Sequence, residues 1–311
     1  MLYPLLFHPV VKPKVWGSET WLLSGYGDEQ SVVANGFLQG NDLGDVLEIY
    51  MDELVGGKVY DRYRLFFPLL FKIIDAEDHL SIQVHPNDEQ AAAMAADSDI
   101  RQLGKTEMWV VTKAQEEASI VLGFARPTSA EDVKLSLSKN TIMDRLQIVP
   151  VKKDDVAIIP AGTVHALRKG TQVVEIQETS DITYRLYDYN RAGLDGRLRE
   201  LHIPQALQVL DYNAMPNPLV TVEDKKPVTN LVNDIHFTTN RLRFDKALQR
   251  DYARYDSFVV YVCLSGQADI VYEEGSVTLK THQTCLVPAC LPDIKLIPKG
   301  ECDLLETMII N

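Results

Sequence analysis

Cysteine is scarce in this 311-residue chain, and all of it lies near the C-terminal end. Cys263, Cys285, Cys290 and Cys302 fall in the last fifth, and no two of them form a C-x-x-C pair. This excludes a cysteine-based zinc knot or disulfide framework; the residues read as reduced thiols of a cytoplasmic protein. Long apolar runs are missing too, so no segment is expected to cross a membrane. The start, Met1-Leu2-Tyr3-Pro4, lacks the basic-then-apolar pattern of a secretory leader, so none is expected. Basic residues are outnumbered: 31 Lys and Arg against 44 Asp and Glu give a net charge of −13. An acidic surface argues against nucleic acid or an anionic membrane as the main partner. A small basic pocket for an anion is still allowed. With 46% hydrophobic and 24% charged residues, the rest of the composition is that of a globular protein of one large or two ordinary domains.

Strand-type alternation dominates from about residue 66 to 125 and from 148 to 190, and returns from about 257 to 310. Helical signals are short. Pro86-Asn87-Asp88-Glu89 opens an Ala-rich run to about Asp97. Ser129-Ala130-Glu131-Asp132 reads as a capping box before Val133, Leu135 and Leu137. Pro204 to Leu210 is a third helical piece. The Pro/Asn/Lys-rich stretch from Met215 to Val232 is the linker candidate. Beyond it the chain echoes its own middle. Ala157-Ile158-Ile159-Pro160-Ala161-Gly162-Thr163-Val164-His165 aligns with Cys285-Leu286-Val287-Pro288-Ala289-Cys290-Leu291-Pro292-Asp293. Short strands with Gly/Pro turns, repeated in this way, predict a mainly β protein of two jelly-roll barrels with a few short helices. The expected division is 1–230 for a metal-binding barrel and 231–311 for a degenerate copy, which has Asp293 where the first has His165.

The chemistry is expected in the first barrel. In Leu80-Ser81-Ile82-Gln83-Val84-His85-Pro86 the apolar residues share one strand face, and a hydroxyl, an amide and an imidazole share the other. Pro160 to His165 delivers a second imidazole on a turn. Gly104-Lys105-Thr106-Glu107 sets a lysine and a carboxylate on one face of a third segment. Gln83, His85, Glu107 and His165 together offer two imidazole nitrogens, a carboxylate and an amide oxygen. Two histidines and a carboxylate with an open position suit catalytic zinc, and suit non-haem iron equally. A fourth segment, Val173 to Arg185, places Glu175, Asp181 and Arg185 on one parity. Such a face is ordinarily solvent-exposed, unless the strand lines the barrel, when it supplies a base and a guanidinium.

These segments resemble those of the type I phosphomannose isomerases, zinc enzymes of the cupin superfamily. The resemblance covers most of residues 1 to 211. It rests on Val15-Trp16-Gly17, Phe71-Lys72, Leu80 to Pro86, Gly104 to Trp109, Pro160 to His165 and Thr179 to Arg185, while Ser31 to Gly36 and Arg199 to His202 look like the short bacterial branch. It implies one Zn2+ per chain held by Gln83, His85, Glu107 and His165, with Arg185, Lys105 and Glu175 as catalytic residues. Lys72 and Ser81 are then the expected substrate contacts, Lys72 against the phosphate, with Arg185 or Lys105 as rivals. The implied reaction interconverts mannose 6-phosphate and fructose 6-phosphate through an enediol. The implied setting is a cytoplasmic monomer or homodimer without nucleic-acid or membrane partners. Many longer members carry a histidine just before the lysine of the third segment; here the residue is Gly104. The alternatives are an iron-dependent cupin dioxygenase using His85, Glu107 and His165, and a sugar-phosphate-binding cupin without turnover.

Overall fold

The computed structural model describes residues 1–95, 101–216, 219–220 and 226–310. It is built from two sandwiches of antiparallel sheets. In the first, a seven-stranded sheet runs in the order Leu219–Val220, Val156–Ile159, Glu107–Ala114, Thr171–Glu178, Leu69–Ala76, Gly17–Leu23, Val10–Lys14. Its partner orders Leu146–Pro150, Ser119–Phe124, His165–Leu167, Ile82–Val84, Tyr184–Tyr187. Apolar side chains from both sheets, including Trp109, Val111, Ile120, Leu122, Leu167 and Val173, form one core between them. The alternation in Ile82 and Val84 drives their burial on the outer face of the five-stranded sheet. There they pack with Val133, Ala206 and Val209 from the helices Ala130–Ser138 and Ile203–Val209. The Ser129 side chain accepts from the Asp132 amide, one half of the expected capping box; the Asp132 carboxylate accepts from the Ser129 hydroxyl at 3.1 Å in place of the backbone amide.

The second sandwich pairs a six-stranded sheet with a four-stranded one. The six are ordered Leu5–Leu6, Thr284–Val287, Val259–Ser265, Cys302–Met308, Thr238–Phe244, Val228–Asn233. The four are ordered Leu248–Asp251, Asp293–Pro298, Gln267–Tyr272, Gly275–Lys280. Tyr261, Cys285 and Leu304 face Ile270, Leu279 and Leu296 across its core. This is the expected mainly β architecture of two cupin-like jelly rolls with short helices. The four cysteines are free, three of them buried and Cys290 exposed. Among the described residues, no helix is long and apolar enough to cross a membrane.

The two compact units are interleaved along the chain. One comprises Met1–Val10, Trp21–Leu70 and Val222–Asn311; the other comprises Val11–Thr20 and Phe71–Thr221. The return at Val222 lies close to the expected boundary at 230, but most of residues 1–70 belong with the C-terminal barrel. Long-range pairing is the reason. Leu5–Leu6 adds an edge strand to Thr284–Val287, and the carbonyls of Leu54 and Val55 accept from the amides of Ala289 and Phe258. Part of the expected linker is also strand: Leu219–Val220 pairs with Val156–Ile159, and Val228–Asn233 pairs with Thr238–Phe244. Residues 217–218 and 221–225 of that stretch, and the end of the predicted Ala-rich helix near Asp97, lie outside the described residues.

Candidate active site

Three strands, two adjacent in the five-stranded sheet and one in the seven-stranded sheet, bring the ligand-type residues together. His165 on His165–Leu167 stands opposite Gln83 on Ile82–Val84. Glu107 opens the strand that pairs with Val156–Ile159 on one side and Thr171–Glu178 on the other. One ligand atom from each of His85, Glu107 and His165 lies within 4.8 Å of the other two, and all three residues are buried. His165 Nε2 is 3.2 Å from Glu107 Oε1, and His85 Nε2 is 3.7 Å from Glu107 Oε2. Gln83 closes the set, with its amide 3.3 Å from His165 Nε2.

The outer nitrogens of both imidazoles are already committed. His85 Nδ1 lies 2.8 Å from the Ile182 carbonyl, and His165 Nδ1 lies 2.8 Å from that of Thr163. A carbonyl only accepts, so each Nδ1 carries the proton and each Nε2 lone pair turns inward. Burial, and then the Lys105 ammonium, hold both rings below the usual imidazole value, His165 at about 4. Neutral imidazoles with inward lone pairs are the form that binds a metal. Glu107 Oε1 is buried with no hydrogen-bond partner among the described residues, as a ligand oxygen would be. On these observations His85, Glu107 and His165 fit a metal ion, and the Gln83 side chain stands beside them with its amide nitrogen toward His165.

Lys105 Nζ lies 2.7 Å from Glu107 Oε2 and 3.1 Å from His85 Nε2. Burial pulls its ammonium down, and the carboxylates of Glu107 and Glu175 more than reverse this, so it stays charged. The strand carrying Glu175 is buried along its whole length, so its polar face lines the barrel and not the solvent. Trp109 stands opposite Glu175 and donates to its Oε2 at 2.8 Å. Glu175 Oε1 has no hydrogen-bond partner among the described residues. Burial first, and then Glu107, raise the Glu175 pKa above the ordinary carboxylate range; Lys105, Lys72 and Trp109 only partly offset this. Trp109 is the residue that sequence reasoning passed over; its parity with Glu107 on one strand was the available signal.

A cavity of about 280 Å3 opens beside these groups. Lys72, Ser81, Gln83, Lys105, Glu175 and Arg185 all line it, so every expected catalytic and substrate residue reaches one space. Lys72 is buried against carboxylates, with Nζ 3.6 Å from Glu175 and 3.9 Å from Glu19. Ser81 Oγ reaches the Gln83 side chain at 3.5 Å. Gly104, beside Lys105, has a steric reason to be glycine: a Cβ there would stand 2.5 Å from the Asp88 amide nitrogen and 2.6 Å from the Asn87 carbonyl carbon. Its own N–H donates to Asp88 Oδ1 at 2.8 Å. The helix start at Asn87 thus occupies the space that a histidine side chain would need.

A jelly roll of this kind, with ligand-type residues on neighbouring strands and a small charged cavity beside them, defines an enzyme of the cupin class. Comparison with known proteins sharpens this. Residues 8–119 match the sequence model of the phosphomannose isomerase type I catalytic domain. The chain is 32% identical to mannose-6-phosphate isomerase ManA of Bacillus subtilis, over 96% of this chain and 97% of that one. It is 37% identical to mannose-6-phosphate isomerase of Streptococcus mutans, over 93% of each. The crystal structure of a mannose 6-phosphate isomerase from Bacillus subtilis superposes with a TM-score of 0.84 at 27% identity, covering 98% of this chain and 99% of that one. The chain belongs to the type I phosphomannose isomerase family.

Proposed function

We propose that this protein is a zinc-dependent aldose–ketose isomerase that interconverts mannose 6-phosphate and fructose 6-phosphate. The observation that carries the reading is the placement of Glu175. It is a buried carboxylate with a raised pKa whose Oε1 accepts no hydrogen bond among the described residues and faces the Lys72 ammonium at 3.6 Å, in the same cavity as the Lys105 ammonium and the metal-type ligand set. Isomerisation requires a base beside a carbonyl and a cationic partner for the oxygen that gains charge. Glu175 Oε1 takes the C2 proton of the aldose, and the same carboxyl returns a proton to C1. The aldehyde oxygen becomes a hydroxyl by taking the proton that the C2 hydroxyl gives up as it becomes the ketone, so one proton moves from C2 to C1 through Glu175, one moves from O2 to O1, and atoms and electrons balance through the enediol. Trp109 fixes Oε2, which leaves the other oxygen to meet the substrate. The Lys105 ammonium donates to the oxygen that turns anionic.

Gln83, His85, Glu107 and His165 would hold the zinc ion. When bound, it supplies Lewis-acid stabilisation of negative charge on the substrate oxygens. Two buried imidazoles with fixed tautomers and one carboxylate suit zinc by ligand type. Arg185 and Lys72 orient the substrate within the cavity. A sugar-phosphate substrate is consistent with a cytoplasmic protein acting as a monomer or homodimer, with neither nucleic acid nor membrane as a partner. The test is a coupled assay of the zinc-loaded protein on mannose 6-phosphate. Turnover to fructose 6-phosphate is expected; no turnover by protein carrying stoichiometric zinc would refute the reading.

A further inference from the structure

The cavity distributes its charge unevenly. Around Lys72, cations and carboxylates balance: Lys72 and Lys14 both face Glu19, and Lys72 also faces Glu175. Around Arg185 they do not. Arg199 donates from Nε and Nη2 to the two oxygens of Asp188, at 2.6 and 2.5 Å. Arg191 donates to the same carboxylate from Nε and Nη2, at 3.1 and 2.9 Å. Arg185 joins this group. Its guanidinium is pulled below its usual value by burial first and then by Arg199 and Arg191, with Asp188 and Glu200 opposing. The Glu200 carboxylate is largely solvated, at 84% exposure, and what Arg185 Nη1 binds is the Glu200 backbone carbonyl, at 2.7 Å. Arg185 Nε is buried with no hydrogen-bond partner among the described residues. Three guanidiniums therefore surround one buried carboxylate, and the only other acid paired with them is the largely exposed Asp78, 3.5 Å from Arg191 Nη1, among the described residues. Two of the three, Arg185 and Arg199, line the cavity, where Asp181 is the nearby acid.

We infer that Arg199, acting with Arg185, anchors the phosphate end of the substrate, and that Asp188 aims it. This deepens the isomerase reading and rests on it. The Asp188 carboxylate takes the Nε/Nη2 edge of Arg199, leaving Nη1 to donate to a ligand. Arg185 contributes its unpartnered Nε. Planar guanidiniums match phosphate oxygens in direction as well as charge, which a lysine does not. A dianion placed here neutralises excess positive charge; placed at Lys72 it would meet Glu19 and Glu175. The grip on a non-reacting group then orients C1 and C2 against Glu175. Arg199 is a specificity residue in this account and takes no part in proton transfer. Its position after a turn, fourteen residues beyond Arg185, hid its place in the cavity from sequence reasoning.

The experiment compares the zinc-loaded wild type with Arg199→Met, Arg199→Lys and Arg197→Met. Three quantities are read: zinc content, KM and kcat for mannose 6-phosphate, and competitive inhibition by inorganic phosphate. Arg197 is exposed, does not line the cavity and loses the same charge, so its variant controls for net charge. Arg199→Met should weaken inorganic phosphate about tenfold or more and raise KM by a similar factor, with zinc content unchanged. Arg199→Lys should recover only part of the loss, because it keeps the charge and not the fork. It also serves as the test if the methionine variant fails to fold. Arg197→Met should leave all three quantities as they are. The anchor is overturned if the Arg199 variants change phosphate inhibition and KM by less than twofold, or if phosphate does not compete in the wild type. An Arg199-dependent phosphate site in a protein without turnover, detected by direct titration of inorganic phosphate, would keep the anchor and remove the isomerase reading. Normal turnover with silent Arg199 variants would do the reverse.

Discussion

The two barrels share the order of their central strands, within sheets of seven and five in the first and six and four in the second, and the registers of those strands can be compared residue by residue. Trp109 lies between Ala157 and Glu175 in the first; Tyr261 lies between Cys285 and Glu306 in the second. By the same register Val259 stands in the place of Glu107, and Asp251 opposite Asp293 in the place of Gln83 opposite His165. The second barrel thus has no imidazole and no inward carboxylate at the ligand positions; Asp251 and Asp293 are exposed. It does keep a buried carboxylate at the Glu175 position, but with a different outcome. Glu306 accepts from Arg250 Nε and Nη2 and from Asn240, each at 2.8 Å, from Tyr261 at 3.1 Å, and from Tyr252. Glu175 accepts one such bond, and its other oxygen has no hydrogen-bond partner among the described residues. A buried carboxylate with every lone pair engaged is a structural element; one left under-donated keeps a raised pKa and the capacity to take a proton.

The largest effect that would break this comparison is expected at the ligand positions. His85→Ala or Glu107→Ala should lose bound metal, and turnover should fall by about 10³-fold or more, the scale of losing electrostatic stabilisation at the reacting oxygens. The circular dichroism spectrum should stay that of the folded barrel. Full turnover in a metal-free variant would contradict the assignment.

Next comes the pair of carboxylates. Glu175→Gln should lower kcat by about 10²- to 10⁴-fold, the range of general-base catalysis. Glu306→Gln should leave kcat largely intact and cost about 3 kcal/mol of stability, because Arg250 and two buried tyrosines lose their common acceptor. Urea unfolding and steady-state kinetics on both variants separate the roles, and equal effects in both assays would erase the distinction.

Acid pH sharpens the same contrast. The Glu175 pKa is raised in the folded state, so between the ordinary carboxylate value and the raised one the folded chain holds a proton that the unfolded chain has released. Stability linked to Glu175 is therefore greatest below the unfolded value and is lost as pH rises through the folded value. Activity runs the opposite way, since the base must be ionised. The acid limb of kcat/KM should lie above the ordinary glutamate value of 4.5. At neutral pH, Glu175→Gln should unfold at the same temperature as the wild type or a higher one. A lower melting temperature would show that Glu175 serves the fold.

The smallest expected effect concerns Gly104. Gly104→His should destabilise the protein by about 1–3 kcal/mol, the usual cost of forcing atoms into packed space, because its Cβ would press on the backbone of Asn87 and Asp88. A calorimetric scan checks this; an unchanged melting temperature would mean that the helix start yields easily.

Much of this was readable beforehand, for a definite reason. Alternation in Leu80 to His85 reports a strand with two different faces, and Ala157 to His165 echoes Cys285 to Asp293 in the register the sheets adopt. What stayed hidden depends on long-range contacts. The helices Leu43–Val55 and Gly57–Tyr63 and the strand Leu5–Leu6 carry no mark of belonging with residues 222–311. The polar parity of Glu175 to Arg185 left open an exposed face or a barrel lining, and only the burial of Thr171–Glu178 between neighbouring strands decides between them. Arg199 was legible only as part of the Arg199 to His202 stretch, without a role, because only the fold brings it back to Asp188 and Arg185.

X-ray absorption at the zinc edge of the purified, zinc-loaded protein tests the central claim most directly. All four cysteines lie in the second barrel, so the first can offer only nitrogen and oxygen. The predicted spectrum has one zinc per chain, a shell at about 2.0–2.1 Å and the scattering of two imidazoles. A sulfur shell at about 2.3 Å, or a chain that binds no zinc, would contradict it.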